Sequence, residues 1–177
     1  MEKQIDFYFD IVSPYSYIAS MLIEEVASRG NAKVNWKPFL LGGVFNAVGT
    51  TQPPGLHPTK KPYLLKDLQR LSGHLKIPIK IPPDFPARTV LAMRTLCGFN
   101  EDEIPQAAQT LFKAYWANNQ DIADPEVVGS LIGNDAVERA ATQEIKDALL
   151  QSTNEAVKRG TFGAPTFFVK DEMFFGH

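Results

Sequence analysis

A four-residue motif near the start of the chain has residue types that suit sulfur chemistry. Ser13-Pro14-Tyr15-Ser16 follows the apolar run of residues 5–12 and has the form of a Cys-Pro-Tyr-Cys redox site in which hydroxyls replace both sulfurs. Proline at the first helical position predicts that Ser13 caps the N-terminus of a helix. Such an end offers unpaired N–H groups and a partial positive charge, which favour an anion. The motif therefore indicates either an ordinary N-cap or a site for a thiolate supplied by another molecule.

A second motif, Gly163-Ala164-Pro165-Thr166, opens a strand near the other end of the sequence. Thioredoxin-like folds place a cis-proline at this point, facing the helix that begins at the first motif. Extended backbone beside such a proline can pair with a peptide-like ligand, and glutathione is a ligand of that kind. The two motifs together are more specific than either alone, and they favour a functional role for Ser13 over a simple cap.

The hydrophobic pattern of the rest of the chain predicts the strands and helices that must position these motifs. Strands are predicted over 3–12 and 32–39 around a helix over 14–29, which is a parallel βαβ opening. Residues 40–58 are predicted to form a functional loop, and a terminal hairpin is predicted over 166–169 and 173–175. Together with the two motifs, these elements predict an α/β fold, a thioredoxin-like sheet with an all-helical insertion. Residues 1–58 and 160–177 are predicted to form the sheet domain, and residues 59–159 are predicted to form the insertion.

Composition narrows the classes of function. The chain has 177 residues, 44% of them hydrophobic, and a net charge of −2, which argues against nucleic-acid binding. Its lone cysteine, Cys97, lies in an apolar helical context and is predicted to be buried and inert. The histidines His57, His74 and His177 are scattered, so no metal site is predicted. The N-terminal residues lack the pattern of a signal peptide, and no membrane association is predicted, so a cytoplasmic location is expected.

Several motifs in the same order identify a family resemblance. The chain resembles the 2-hydroxychromene-2-carboxylate isomerases and their relatives, the kappa-class glutathione transferases, which are thioredoxin-fold proteins with a helical insertion. The resemblance covers nearly the whole chain. Besides the two motifs above, it rests on Asp6-Phe7-Tyr8-Phe9-Asp10, Leu41-Gly42-Gly43, Lys60 with Tyr63, Asp67 and Arg70, and Phe85-Pro86 with Thr89.

The resemblance implies a glutathione-dependent cis-trans isomerase of aromatic-degradation intermediates, and a homodimer. It implies that Ser13 hydrogen-bonds the glutathione sulfur, that Lys60 and the loop near Thr51 hold the tripeptide, and that Ala164 beside Pro165 pairs with its cysteinyl backbone. A helix N-terminus and a hydroxyl donor would stabilise the thiolate and make it a better nucleophile.

The substrate of such an isomerase is an aromatic carboxylate, which needs a cationic partner and an apolar slot. Among the available side chains, Arg88 is the predicted cation, and Tyr15, Phe45 and Phe85 are predicted to line the slot.

Two alternatives remain open from the sequence. A kappa-type glutathione transferase or peroxidase shares every motif and differs only in its acceptor. A thiol-binding or peptide-binding thioredoxin-like module without catalysis would also fit the absence of cysteines. Disulfide oxidoreductase activity is excluded because the chain has no dithiol. On the helix from Lys60, Asp67 and Arg70 are predicted to form an exposed pair, and Tyr63 is predicted to be a core residue.

Overall fold

Four strands form one mixed sheet in a computed structural model that describes residues 3–51, 53 and 55–177. They are β1 (Lys3–Phe9), β2 (Ala32–Pro38), β3 (Thr166–Val169) and β4 (Glu172–Phe175), in the spatial order β2-β1-β3-β4. β1 pairs in parallel with β2 and antiparallel with β3, and β3 pairs antiparallel with β4. The predicted parallel opening and terminal hairpin are therefore confirmed.

β1 is a central strand, which explains its unbroken apolar end. Phe7, Tyr8 and Phe9 are all fully buried, because both faces of the sheet are covered at this position. Phe7 packs against the rings of Trp36 and Phe167 on one face. Tyr8 belongs to a smaller cluster on the other face. The strand thus delivers the residues that follow Phe9 to a fixed point at the edge of the sheet.

Eight helices within the described residues cover the sheet. The first, α1 (Pro14–Gly30), connects β1 to β2. The others lie between β2 and β3: α2 (Leu41–Ala47), α3 (Lys60–Leu75), α4 (Val90–Cys97), α5 (Ile104–Trp116), α6 (Pro125–Ile132), α7 (Asn134–Arg139) and α8 (Gln143–Lys158). One hydrophobic cluster joins side chains of β1 and α1 to those of α3, α4, α5 and α8. Helices and sheet therefore share a core, and the domain division at residues 58 and 159 stays a prediction.

The prediction of a loop over residues 40–58 was wrong for its first part, which is the helix α2. Gly42 and Gly43 had indicated a break. A Cβ atom on Gly43 would lie 3.0 Å from the Thr153 side chain, so this glycine lets α2 pack closely on α8. Gln52 and Pro54 of the predicted loop lie outside the described residues.

Two predictions for α3 were also wrong. Tyr63 is 64% exposed and is not a core residue. Among the described residues Asp67 forms no ion pair with Arg70, and its carboxylate instead accepts a hydrogen bond from Tyr15. Helical spacing determines which side chains share a face of α3, but it does not determine which face packs against the rest of the protein.

Candidate active site

The turn between β1 and α1 holds Ser13 in a buried position at the start of the helix. The Ser13 N–H donates to the carbonyl of Asp10 at 3.0 Å. Its Oγ accepts a 3.1 Å hydrogen bond from the N–H of Ser16, which makes it the predicted N-cap. Within the described residues, the Tyr15 N–H has no protein acceptor. The helix end therefore presents one free donor beside a hydroxyl.

The second motif lies directly opposite Ser13. Antiparallel pairing of Tyr8 with Thr166 brings the start of β3 alongside the end of β1. The Ala164–Pro165 peptide bond is cis, as predicted from the motif. The Ser13 hydroxyl donates to the Ala164 carbonyl at 2.9 Å across 151 residues of sequence. The two motifs that the sequence singled out thus form one site.

Asp10 links three walls of this site. Its buried carboxylate accepts hydrogen bonds from the N–H of Val12 at 3.1 Å and the N–H of Leu41 at 2.9 Å, and the nearby Thr89 side chain also favours the charged form. Burial raises the pKa of Asp10, and these three groups partly offset that increase. Through Leu41 and Thr89, the carboxylate ties the starts of α2 and α4 to the turn that carries Ser13.

These elements surround a cavity of about 1760 Å³. Typical small-molecule sites occupy roughly 300 to 1,000 Å³, so this cavity has room for more than one ligand-sized group. All but one of the residues predicted for the site line this cavity. They are Ser13, Tyr15, Phe45, Lys60, Phe85, Arg88, Ala164 and Pro165. Thr51 is exposed and is not part of the lining, whereas its neighbour Thr50 is.

Tyr15 has partners that the sequence did not indicate. Its phenol donates to Asp67 at 2.7 Å, and its ring stacks on the imidazole of His177 with centroids 5.2 Å apart. Burial and the neighbouring Asp67 carboxylate raise the pKa of Tyr15, so the phenol remains a donor at neutral pH. Both Asp67 and His177 line the cavity. The prediction for Tyr15 rested on its aromatic ring, and the link from its hydroxyl to α3 was missed.

The cavity lining contains more basic than acidic side chains. The basic ones are Lys60, Arg88, Arg94 and Lys146, and the acidic ones are Asp10 and Asp67. Both carboxylates already accept hydrogen bonds from the protein. Although the chain has a net charge of −2, the cavity is locally positive and therefore suits an anionic ligand.

Redox chemistry has no dithiol to support it. Burial raises the pKa of Cys97, the only cysteine, to about 12, and Cys97 is absent from the cavity lining. Such a thiol is a poor nucleophile at neutral pH. The described residues also contain no group of three His, Cys, Asp or Glu side chains placed to hold a metal ion, and none of their helices is long and apolar enough to cross a membrane.

The strand order, the helical connection after β2 and the serine at the N-terminus of α1 define a thioredoxin-like protein whose site lacks its own sulfur. A family model described as a DsbA-like thioredoxin domain matches residues 4–177. The chain belongs to that family, and the predicted fold class is confirmed.

Individual relatives confirm the predicted family resemblance. Glutathione S-transferase kappa 1 of Homo sapiens is 29% identical over 182 residues, which cover 93% of this chain and 80% of the relative. 2-Hydroxychromene-2-carboxylate isomerase of Pseudomonas putida is 30% identical over 188 residues, covering 98% and 88%. A solved 2-hydroxychromene-2-carboxylate isomerase structure superimposes with a TM-score of 0.86 at 26% identity, covering 98% of this chain and 88% of that one.

Proposed function

We propose that this protein is a glutathione-dependent isomerase of unsaturated aromatic carboxylates, of the 2-hydroxychromene-2-carboxylate type. The observation that carries the proposal is the buried Ser13 hydroxyl, which lies at the N-terminus of α1, faces Ala164 and lines a positive cavity. The similarity to an isomerase and to a glutathione transferase supports the same conclusion.

Ser13 has one proton to donate, and in the structure that proton is bonded to the Ala164 carbonyl. The Ala164 carbonyl and a thiolate would compete for this proton. Bound glutathione would end that competition, because its backbone N–H can donate to the carbonyl in place of Ser13. The Ser13 hydroxyl is then free to donate to the sulfur, while its oxygen still caps the Ser16 N–H. Binding of the tripeptide backbone would thereby switch on the donor that stabilises the thiolate.

The same geometry offers further contacts to glutathione. The Tyr15 N–H points from the end of α1 without a protein acceptor among the described residues, and it adds to the positive potential there. Lys60 of α3 lies on the cavity wall and would take a carboxylate of the tripeptide. The loop near Thr51 stays a proposed contact of glutathione. Within it, Thr50 lines the cavity and Thr51 does not.

In the proposed reaction the thiolate adds to a carbon of the conjugated double bond, and the electron pair of that bond moves toward the carbonyl side of the substrate. The former double bond is then single and rotates. Return of the electron pair expels the thiolate and restores the double bond in the other geometry, so no glutathione is consumed. Phe45, Phe85 and Tyr15 would line the slot for the aromatic ring.

A kappa-type transferase or peroxidase is the second candidate, favoured by the similarity to the human kappa-class enzyme. It would use the same thiolate but lose glutathione to a product. A non-catalytic thiol-binding or peptide-binding module is the third. A homodimer is a further proposal from the resemblance, and a cytoplasmic location stays a prediction.

Ultraviolet absorbance of bound glutathione across pH tests the proposal. A hydrogen bond to a charged acceptor contributes about 1.5 to 3 kcal/mol, so the bound thiol pKa should fall by roughly one to two units and Ser13→Ala should recover most of that fall. A thiol that ionises as it does in free solution would refute the proposed role of Ser13. Turnover without loss of glutathione distinguishes the isomerase from the transferase. If the thiolate forms but no conjugated carboxylate is turned over, the result favours the non-catalytic binding module.

A further inference from the structure

Two basic side chains in the helical part of the cavity lining have no role in the site described so far. Arg94 of α4 and Lys146 of α8 both line the cavity, and both are half-buried. Among the described residues, neither forms an ion pair with an acidic side chain. Half-buried cations without a counterion favour an anionic ligand, because part of their hydration is already lost.

Of the helices that carry these cations, α4 begins near Ser13 and the C-terminal half of α8 returns to the same region. Thr89, at the beginning of α4, lies beside the Asp10 carboxylate and favours its charged form. Thr153 of α8 accepts a 3.0 Å hydrogen bond from the N–H of Leu40. At their other ends, a Cβ atom on Gly98 would lie 3.7 Å from Cδ1 of Ile145. The helices α4 and α8 are therefore packed in antiparallel directions, and both extend away from the Leu40–Leu41 segment.

Arg94 and Lys146 lie at a similar level along this helix pair. Arg94 is five residues beyond Thr89, which is about 7 Å of helix, and Lys146 is seven residues before Thr153, which is about 10 Å. A separation of seven residues also returns to the same helix face, so Lys146 lies on the face that carries Thr153. Both cations therefore stand on the order of 10 Å from the part of the cavity that Ser13 and Asp10 define.

The walls between the two regions are largely apolar. Leu91 of α4, Val137 of α7 and Ala140 line the same cavity. An elongated ligand with an unsaturated, apolar middle and an anionic end matches a lining that has a thiolate position at one end and two cations at the other. Arg88 is exposed, in contrast to the half-buried Arg94 and Lys146.

We propose that Arg94 and Lys146 bind the carboxylate of the second substrate and hold its double bond near the sulfur. This inference rests on the proposed function and names the residues that select an aromatic carboxylate over a neutral electrophile. In it, Arg94 and Lys146 determine substrate affinity, and Ser13 determines the reactivity of the thiolate.

The test measures binding of trans-2-hydroxycinnamate and its neutral methyl ester by titration calorimetry with glutathione present. The variants are Arg94→Gln and Lys146→Gln. Arg139→Gln and Lys158→Gln serve as matched controls, because these residues of α7 and α8 are exposed and absent from the lining. Loss of one charge-assisted contact should weaken carboxylate binding about tenfold or more, with the ester and glutathione unaffected. Restoration by Arg94→Lys and Lys146→Arg would exclude misfolding as the cause.

The proposal is overturned if wild-type protein binds the ester as tightly as the carboxylate, if it binds neither, or if both lining variants keep full affinity for the carboxylate. Equal losses in the lining and control variants would also overturn it, since they would indicate a general charge effect. A parallel glutathione titration separates the two proposals. Failure to bind glutathione refutes the proposed function, whereas the same carboxylate titration in its absence still decides the roles of Arg94 and Lys146.

Discussion

The phenol of Tyr15 donates a 2.7 Å hydrogen bond to the carboxylate of Asp67, 52 residues further along the chain. This contact joins the motif turn at the start of α1 to the middle of α3. Because α3 begins at Lys60, the bond fixes the position of a proposed glutathione contact relative to Ser13. A tyrosine inside the motif thus has a structural partner as well as a place in the cavity.

Removing this hydrogen bond should weaken both folding and ligand binding. We expect Tyr15→Phe to lower the free energy of unfolding by about 1.5 kcal/mol, the lower end of the range for a bond to a charged acceptor, because this bond is only half-buried. Urea denaturation measures that change, and glutathione titration should show a loss of a few fold. Tyr63→Phe is the matched control, since Tyr63 lies on α3 and is 64% exposed.

A double-mutant cycle with Asp67→Asn identifies the source of that effect. If Tyr15 and Asp67 act through one bond, the loss in the double variant should be smaller than the sum of the two single losses. Strictly additive losses would show that the two residues contribute independently and would contradict the assigned coupling.

Asp10 should make stability depend on pH. Its folded-state pKa is raised above the unfolded value of about 3.9, so the folded state binds the proton more strongly. The free energy of unfolding should therefore decrease as pH rises from about 4 through the folded pKa. Asp10→Asn lacks this contribution, and wild-type protein should lose stability relative to it over that range.

Urea denaturation at closely spaced pH values checks this sign. Asp102→Asn removes an exposed carboxylate in a turn and serves as the control. A wild-type protein that gains stability relative to Asp10→Asn as pH rises would show that the three groups favouring the charged form outweigh burial, and the assigned direction of the pKa shift would be wrong.

Restoring two sulfurs to the motif should create redox activity. Residues three apart on a helix have Cβ atoms about 5 to 6 Å apart, and a Cys-X-X-Cys pair at a helix N-terminus has a reactive thiolate. The Ser16 Oγ is buried without a hydrogen-bond partner among the described residues, so a thiol there breaks no bond. We expect Ser13→Cys/Ser16→Cys to reduce insulin disulfides in the presence of a dithiol.

The single variant Ser13→Cys is the control for this prediction, because it lacks the resolving thiol. Cys97→Ala in both backgrounds removes the native cysteine from the assay. An inactive double variant that retains the wild-type circular dichroism spectrum would mean that the turn is not positioned as a redox site, despite its place at the N-terminus of α1.

The sequence by itself determined the parts that local signals encode. The Ser13-Pro14 cap, the helix after it and the terminal hairpin follow from residue types a few positions apart, because capping and strand alternation act over single turns. The pairing of Ser13 with the Ala164–Pro165 segment was also predictable, since both ends of that contact carry distinctive motifs. Family resemblance and residue type together then supplied eight of the residues that line the cavity.

Only the tertiary structure decided which polar groups come together around the cavity. Asp10 and Leu41, Tyr15 and Asp67, and the pair Arg94 and Lys146 come from separate elements whose relative rotation is set by packing of the shared core. Helical spacing alone left Asp67 equally able to face Arg70 or the motif turn. The sequence pattern of an amphipathic helix is the same whether a charged residue faces water or a cavity. The role of that residue is therefore determined only by the positions of the neighbouring helices.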